Sequence, residues 1–141
     1  MTSSQSPVYG RKTPKVGETA QVRKTMTVAD QGLFCGISCN MHPLYVNEVH
    51  AKGTEAGGRL VFELAVASLA TTALAEVGGP YRRLAALNLR FPAPTRIGDT
   101  VAAKVEVVES MDALTRCRVT CLKDEGNAVV AEGSAELAEV R

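Results

Sequence analysis

The sequence has no tryptophan, and aromatic residues make up only 4% of its 141 residues. A surface that stacks on nucleic-acid bases needs aromatic platforms, so this scarcity disfavours that function. An excess of one charge is also missing: 16 Lys+Arg against 15 Asp+Glu leave a net charge of +1. Such a balance argues against a chain built to coat nucleic acid or an anionic membrane. Long hydrophobic runs are lacking too. The longest, residues 60–77, is interrupted by Glu63 and Glu76, and the 12 uncharged residues between them are too few to cross a bilayer. Residues 1–15 are rich in Ser, Thr, Pro and Lys and hold no apolar segment of the secretory kind. They read as a flexible tail, and the protein as cytoplasmic.

What is present is enough for a core. Hydrophobic residues reach 45% and charged residues 22%, which places the chain among folded proteins. At about 150 residues per domain the length gives one domain, residues 16–141, able to bury roughly two-thirds of its unfolded surface. Four cysteines are present: Cys35, Cys39, Cys117 and Cys121. Two C-x3-C spacings near His42 invite a zinc reading, but structural zinc sites favour tighter pairs on turns. Cys117 and Cys121 fall in an alternating strand pattern, about 13 Å apart along a strand, too far to share one ion or a disulfide. Reduced thiols that fill the core are expected, and no metal site.

Periodicity orders the elements. Residues 18–27 alternate weakly, as a first strand. Residues 28–38 follow with a short helical pattern, and Thr27 is placed to cap it. Residues 39–58 are polar, contain Pro43 and three glycines, and read as a long irregular loop holding His42 and His50. A loop of that length inside a compact domain is usually functional. Residues 60–77 form the one long helix, apolar nearly all round, ended by Gly78-Gly79-Pro80. The period then changes from 3.6 to 2. Alternating runs at Leu87–Phe91, Val101–Val107, Cys117–Cys121 and Val129–Leu137 are separated by turn signals at 97–99, 110–112 and 124–127. One apolar face on each run predicts half-buried antiparallel strands. The economical packing is an α+β fold in which a curved antiparallel sheet wraps around one long central helix. The sheet edges need covering, so a homodimer is expected.

This order resembles the hotdog fold, and two segments narrow the resemblance. Residues 87–101, LNLRFPAPTRIGDTV, are similar to the second half of MaoC-like dehydratases, the (R)-specific enoyl-CoA hydratase family. Gly57-Gly58-Arg59-Leu60 and Val66-Ala67-Ser68-Leu69 resemble an upstream segment of the same family. The resemblance spans about residues 20 to 138. It implies an acyl-CoA or acyl-carrier thioester as substrate, hydration or dehydration as the reaction, and no cofactor beyond the CoA of the substrate.

The catalytic segment departs from the family pattern. Hydratases of the family carry roughly S-G-D-x-N-P-x-H-x-D, with Asp and His as the acid/base pair. Residues 38–47, SCNMHPLYVN, lie in register with it. Asn40 stands at the Asp position, His42 at the Asn, Tyr45 at the His and Asn47 at the final Asp. Hydrating an enoyl thioester needs a base for water and an acid for the α-carbon. Asn40 cannot take a proton, and an ordinary tyrosine loses its own only near pH 10. Tyr45 therefore suits an acid or donor better than a base.

The family also places a backbone N–H, usually of a Gly, at the start of the central helix for the thioester oxygen. That position falls on Glu63, preceded by Phe62. Glu63 has three readings: a first-turn carboxylate favoured by the helix dipole, a replacement general base as in hotdog thioesterases, or a partner for Arg59. His42 is an acid/base candidate or a solvated loop residue; His50 reads as surface. Tyr45 reads equally as packing or as site. Asn40, His42, Tyr45 and Glu63 form the candidate catalytic set, with Asn47, Phe62, Leu64 and Arg59 as candidate substrate contacts. Arg59, Arg82, Arg83 and Arg90 are the cations available for CoA phosphates.

Three functions remain open. One is a MaoC-like hydro-lyase with a rebuilt acid/base site. Another is a thioesterase using Glu63. The third is a non-catalytic thioester-binding or scaffolding subunit that pairs, as a hotdog heterodimer, with an intact hydratase chain. No nucleic-acid or membrane partner is implied.

Overall fold

Thr27 divides the first two elements. Upstream of it β1 (Thr19–Thr25) is extended; downstream, α1 (Val28–Ser38) opens with a capping box. The Thr27 hydroxyl accepts the Asp30 N–H at 3.3 Å, and Asp30 Oδ2 accepts the Thr27 N–H at 2.8 Å. The computed structural model describes residues 10–141. Two short helices come next, α2 (Pro43–Val46) and α3 (Glu48–Lys52), then the long α4 (Glu63–Gly78). Strands β2 (Arg82–Arg90), β3 (Thr100–Ser110), β4 (Leu114–Lys123) and β5 (Val129–Glu139) complete the chain.

All five strands pair antiparallel in the order β1-β3-β4-β5-β2. The expected α+β arrangement results. Alternation buries Val101, Ala103, Val105 and Val107 of β3, Cys117, Val119 and Cys121 of β4, and Ala131, Ala135 and Leu137 of β5. Against this face α4 places Ala65, Val66, Ala70, Ala73, Leu74 and Val77. Alanines on the helix let its backbone lie close to the sheet. Gly133 serves a close approach: a Cβ there would stand 1.9 Å from the Asn88 carbonyl oxygen, so only glycine lets β2 dock on β5 at this point.

Three expectations change. The long helix starts at Glu63, not Leu60. Residues 60–62 spend their amides elsewhere: Leu60 N–H donates to Leu44 O at 3.0 Å and Val61 N–H to Thr95 O at 2.7 Å, and Leu60 bridges to Arg96. The stretch expected to be irregular holds α2 and α3, each capped by a side chain, His42 and Asn47 respectively. The long helix, read as apolar nearly all round, has one open and partly polar face in the single chain. There Leu64 is 62% exposed, and Ser68, Thr71, Thr72 and Ala75 also face outward. Of the tail expected over 1–15, residues 1–9 lie outside the described residues. Arg11 stacks on the Tyr81 ring and bonds Val140 O at 3.2 Å, and Pro14 is buried.

Candidate active site

Proline at the first turn of α2 and the His42 imidazole fix where Tyr45 points. His42 Nδ1 accepts the Leu44 N–H at 3.3 Å, so a neutral His42 carries its proton on Nε2. One half-turn later Tyr45 reaches the first residue of α4. Its hydroxyl donates to both oxygens of Glu63, at 2.7 and 3.0 Å. The Tyr45 ring stacks on Phe62 with centroids 4.3 Å apart and planes 15° from parallel, and Phe62 stacks in turn on Phe34 at 4.6 Å. His42 meets the Tyr45 ring edge-on at 5.9 Å.

This arrangement sets the proton chemistry. Burial first, then the hydrogen bond and negative charge of Glu63, push the Tyr45 phenol up from 10.0 to about 12. Tyr45 is therefore a phenol, not a phenolate, at neutral pH, and acts as a donor. Glu63 is the first residue of α4, at the positive end of the helix dipole. Among the described residues no side chain caps that helix end, so its first amides have no side-chain partner. A phenol and a carboxylate, sharing one proton path against an apolar wall, can pass a proton in either direction.

A family model described as the MaoC like domain matches residues 11–127. The chain belongs to this MaoC-like family. Two relatives fit that placement. The 3-hydroxybutyryl-CoA dehydratase of Methylorubrum extorquens is 34% identical over 122 residues, covering 86% of this chain and 78% of the relative. The (R)-specific enoyl-CoA hydratase of Rhodospirillum rubrum is 34% identical over 124 residues, covering 86% and 85%. The structure of the (R)-hydratase from A. caviae involved in PHA biosynthesis superimposes with a TM-score of 0.83 at 25% identity, over 90% of this chain and 97% of that one. The hotdog fold of the MaoC-like chain is thereby shown.

Of the sequence candidates in this MaoC-like chain, Tyr45, Glu63 and Phe62 come together, with His42 at their edge. The others are engaged elsewhere. Asn40 does not orient Tyr45; its Oδ1 accepts the His42 N–H at 3.0 Å, and its own N–H bonds Ser38 Oγ. Asn47 caps α3 through the His50 N–H, leaving His50 exposed in the last turn. Arg59 does not pair with Glu63, because Glu48 takes its Nε–H at 2.8 Å. Leu64 lies on the open face of α4. Among the cations proposed for phosphates, Arg82 bonds the carbonyls of Met111 and Asp112, Arg90 pairs with Glu132, and Arg83 is exposed on β2. Among the described residues no group of three His, Cys, Asp or Glu side chains gathers as a metal site.

Sequence reasoning missed Phe34 and Gln31. Both lie on the inner face of α1, three residues apart. Gln31 is 4% exposed, a buried polar residue on an apolar helical face. That mismatch of type and position was the available signal.

Proposed function

We propose that the protein is a hydro-lyase acting on an acyl-CoA or acyl-carrier thioester, with Glu63 and Tyr45 as its acid/base unit. The observation that carries this reading is the two-oxygen contact of the Tyr45 hydroxyl with Glu63 at the start of the central helix. In the dehydration direction the Glu63 carboxylate takes the α-proton of a 3-hydroxyacyl thioester. The β-carbon to oxygen bond breaks, and the departing oxygen leaves as water with the Tyr45 proton. Glu63, now a carboxylic acid, returns a proton to the phenolate, a transfer that runs downhill by the ordinary acidities of the two groups. Hydration is the reverse. Uncapped amide N–H groups at the head of α4 donate to the enolate oxygen that develops in between. The relatives' names make a short 3-hydroxyacyl-CoA and its 2-enoyl partner the first substrates to try.

The active form is a homodimer. Among the described residues strand β2 is a sheet edge paired only with β5, and Leu84 and Leu87 on it are each 39% exposed. A second copy adding its own β2 would extend the sheet and bring the open faces of the two α4 helices together.

Product analysis tests the reading. Crotonyl-CoA or 3-hydroxybutyryl-CoA is incubated with the protein and the mixture resolved by mass. Interconversion of the two supports a hydro-lyase. Free CoA points to a thioesterase. Binding without turnover, even at high enzyme concentration, points to a scaffolding subunit and overturns the proposal.

A further inference from the structure

Gln31 is the point at which α1 meets both halves of the site. Its Nε2 donates to Tyr45 O at 2.8 Å and to Leu60 O at 2.9 Å, and its Oε1 accepts the Phe62 N–H at 3.4 Å. The first contact holds the backbone of the residue whose phenol is the donor. The other two hold the residues just before Glu63. A primary amide presents two donors and an acceptor on one planar end, which matches two carbonyls and one N–H. Gln31 is itself fixed. Its own N–H bonds Thr27 O at 3.3 Å within the capped first turn of α1, and the side chain is buried. Phe34, on the same helix face, adds its ring to the Phe62–Tyr45 stack.

We propose that Gln31 is the positioning residue of the Tyr45–Glu63 pair, its carboxamide setting the distance between α2 and the head of α4 so that one phenol reaches both carboxylate oxygens. The kinetic consequence rests on the reading of that pair as the acid/base unit; the structural consequence does not. The bracket spans segments that share no helix or strand. Without it, the two segments would be joined by the Leu60 N–H to Leu44 O bond, the Tyr45–Glu63 contact and the aromatic stack, none of which fixes the backbone of Tyr45 itself. Misplacement of reacting groups by about 1 Å is enough to cost roughly 100-fold in rate.

The test uses the full-length protein with tyrosine labelled at Cζ. Three tyrosines give three signals, and Tyr45→Phe assigns the one from Tyr45. Gln31→Met keeps length and apolar stem and removes all three hydrogen bonds. In the folded variant the Tyr45 signal should move toward that of a water-bonded phenol while those of Tyr9 and Tyr81 stay. Turnover should fall about 10- to 100-fold with KM changed less than about threefold. Gln31→Glu keeps the acceptor for Phe62 but turns the donors into repulsion with two carbonyls, and should displace the same signal. A folded variant of either kind with a native Tyr45 signal overturns the proposal: Gln31 would then only fill space. Should both variants fail to fold, the native protein decides. Its Gln31 side-chain amide protons should exchange slowly with solvent, and free exchange overturns the bracket. If Tyr45→Phe and Glu63→Gln leave turnover unchanged, the acid/base reading falls while the Tyr45 signal still reports on Gln31.

Discussion

Replacing Tyr45 by Phe removes one hydroxyl and keeps the ring on Phe62, so it isolates the contact with Glu63. A hydrogen bond to a charged acceptor is worth about 1.5–3 kcal/mol. The rise of the phenol from 10.0 to about 12, about 2.7 kcal/mol in all, comes first from burial, so only part of it belongs to the contact with Glu63. The site is partly open to solvent, and screening reduces this to roughly 1–2 kcal/mol. The sign follows from linkage. The folded-state value lies above the unfolded one, so the stabilisation is complete below about pH 10 and disappears as the pH rises through about 12. The buried thiols of Cys117 and Cys121, both pushed by burial from 9.0 to about 11, also lose stability in alkali. Native protein and variant share those thiols, so the effect cancels in the difference. Denaturant unfolding of both proteins should give a gap of about 1–2 kcal/mol near pH 8 that shrinks steadily above about pH 10. A gap under about 0.3 kcal/mol near pH 8, or one that does not change with pH, would refute the reasoning.

Three further outcomes are expected. Native protein should hydrate crotonyl-CoA, and Tyr45→Phe should lower the rate by about 10²–10⁴-fold, since a positioned acid/base group is worth that much; an unchanged rate would remove Tyr45 from the chemistry. Light scattering should find a dimer, and Leu84→Lys with Leu87→Lys should give a monomer; a native monomer in dilute solution would leave the β2 edge without a partner. Gly133→Ala should destabilise by about 3 kcal/mol or more in thermal or denaturant unfolding, because the added Cβ meets backbone and not a movable side chain; a change under about 0.5 kcal/mol would mean that β2 does not lie against β5 as described.

Wherever one periodicity ruled a segment, the fold was legible in the sequence. Thr27 was read as the cap of α1, and it is, because Asp30 three residues later completes a capping box. Strands β3, β4 and β5 showed through alternation, since each has one buried face, whereas β2, expected to be half-buried, is exposed over most of its length in the single chain. Residues 60–62 misled because their apolar character continues the helical pattern while their amides bond to Leu44 and Thr95, partners that no local pattern reveals. Helices α2 and α3 were hidden by their length; each is a single capped turn, too short for a period to appear. At the site, register with the family motif pointed to Tyr45 and Glu63, but that the two touch is a tertiary fact. Asn40 and Asn47 were read as chemistry because of the same register, and their side chains instead satisfy backbone amides of the loop. Gln31 escaped because a single polar residue reads as surface, although its place on the inner face of α1, three residues before Phe34, was the signal that marked it.

The most direct measurement of the central claim is the turnover of Glu63→Gln with crotonyl-CoA at high enzyme concentration, beside its affinity for the same thioester. Glutamine keeps the size of the side chain and can still accept from Tyr45, but it cannot take a proton. If Glu63 is the base, turnover falls at least about 100-fold while affinity changes no more than about threefold. Turnover equal to that of the native protein would contradict the claim and remove Glu63 from the chemistry.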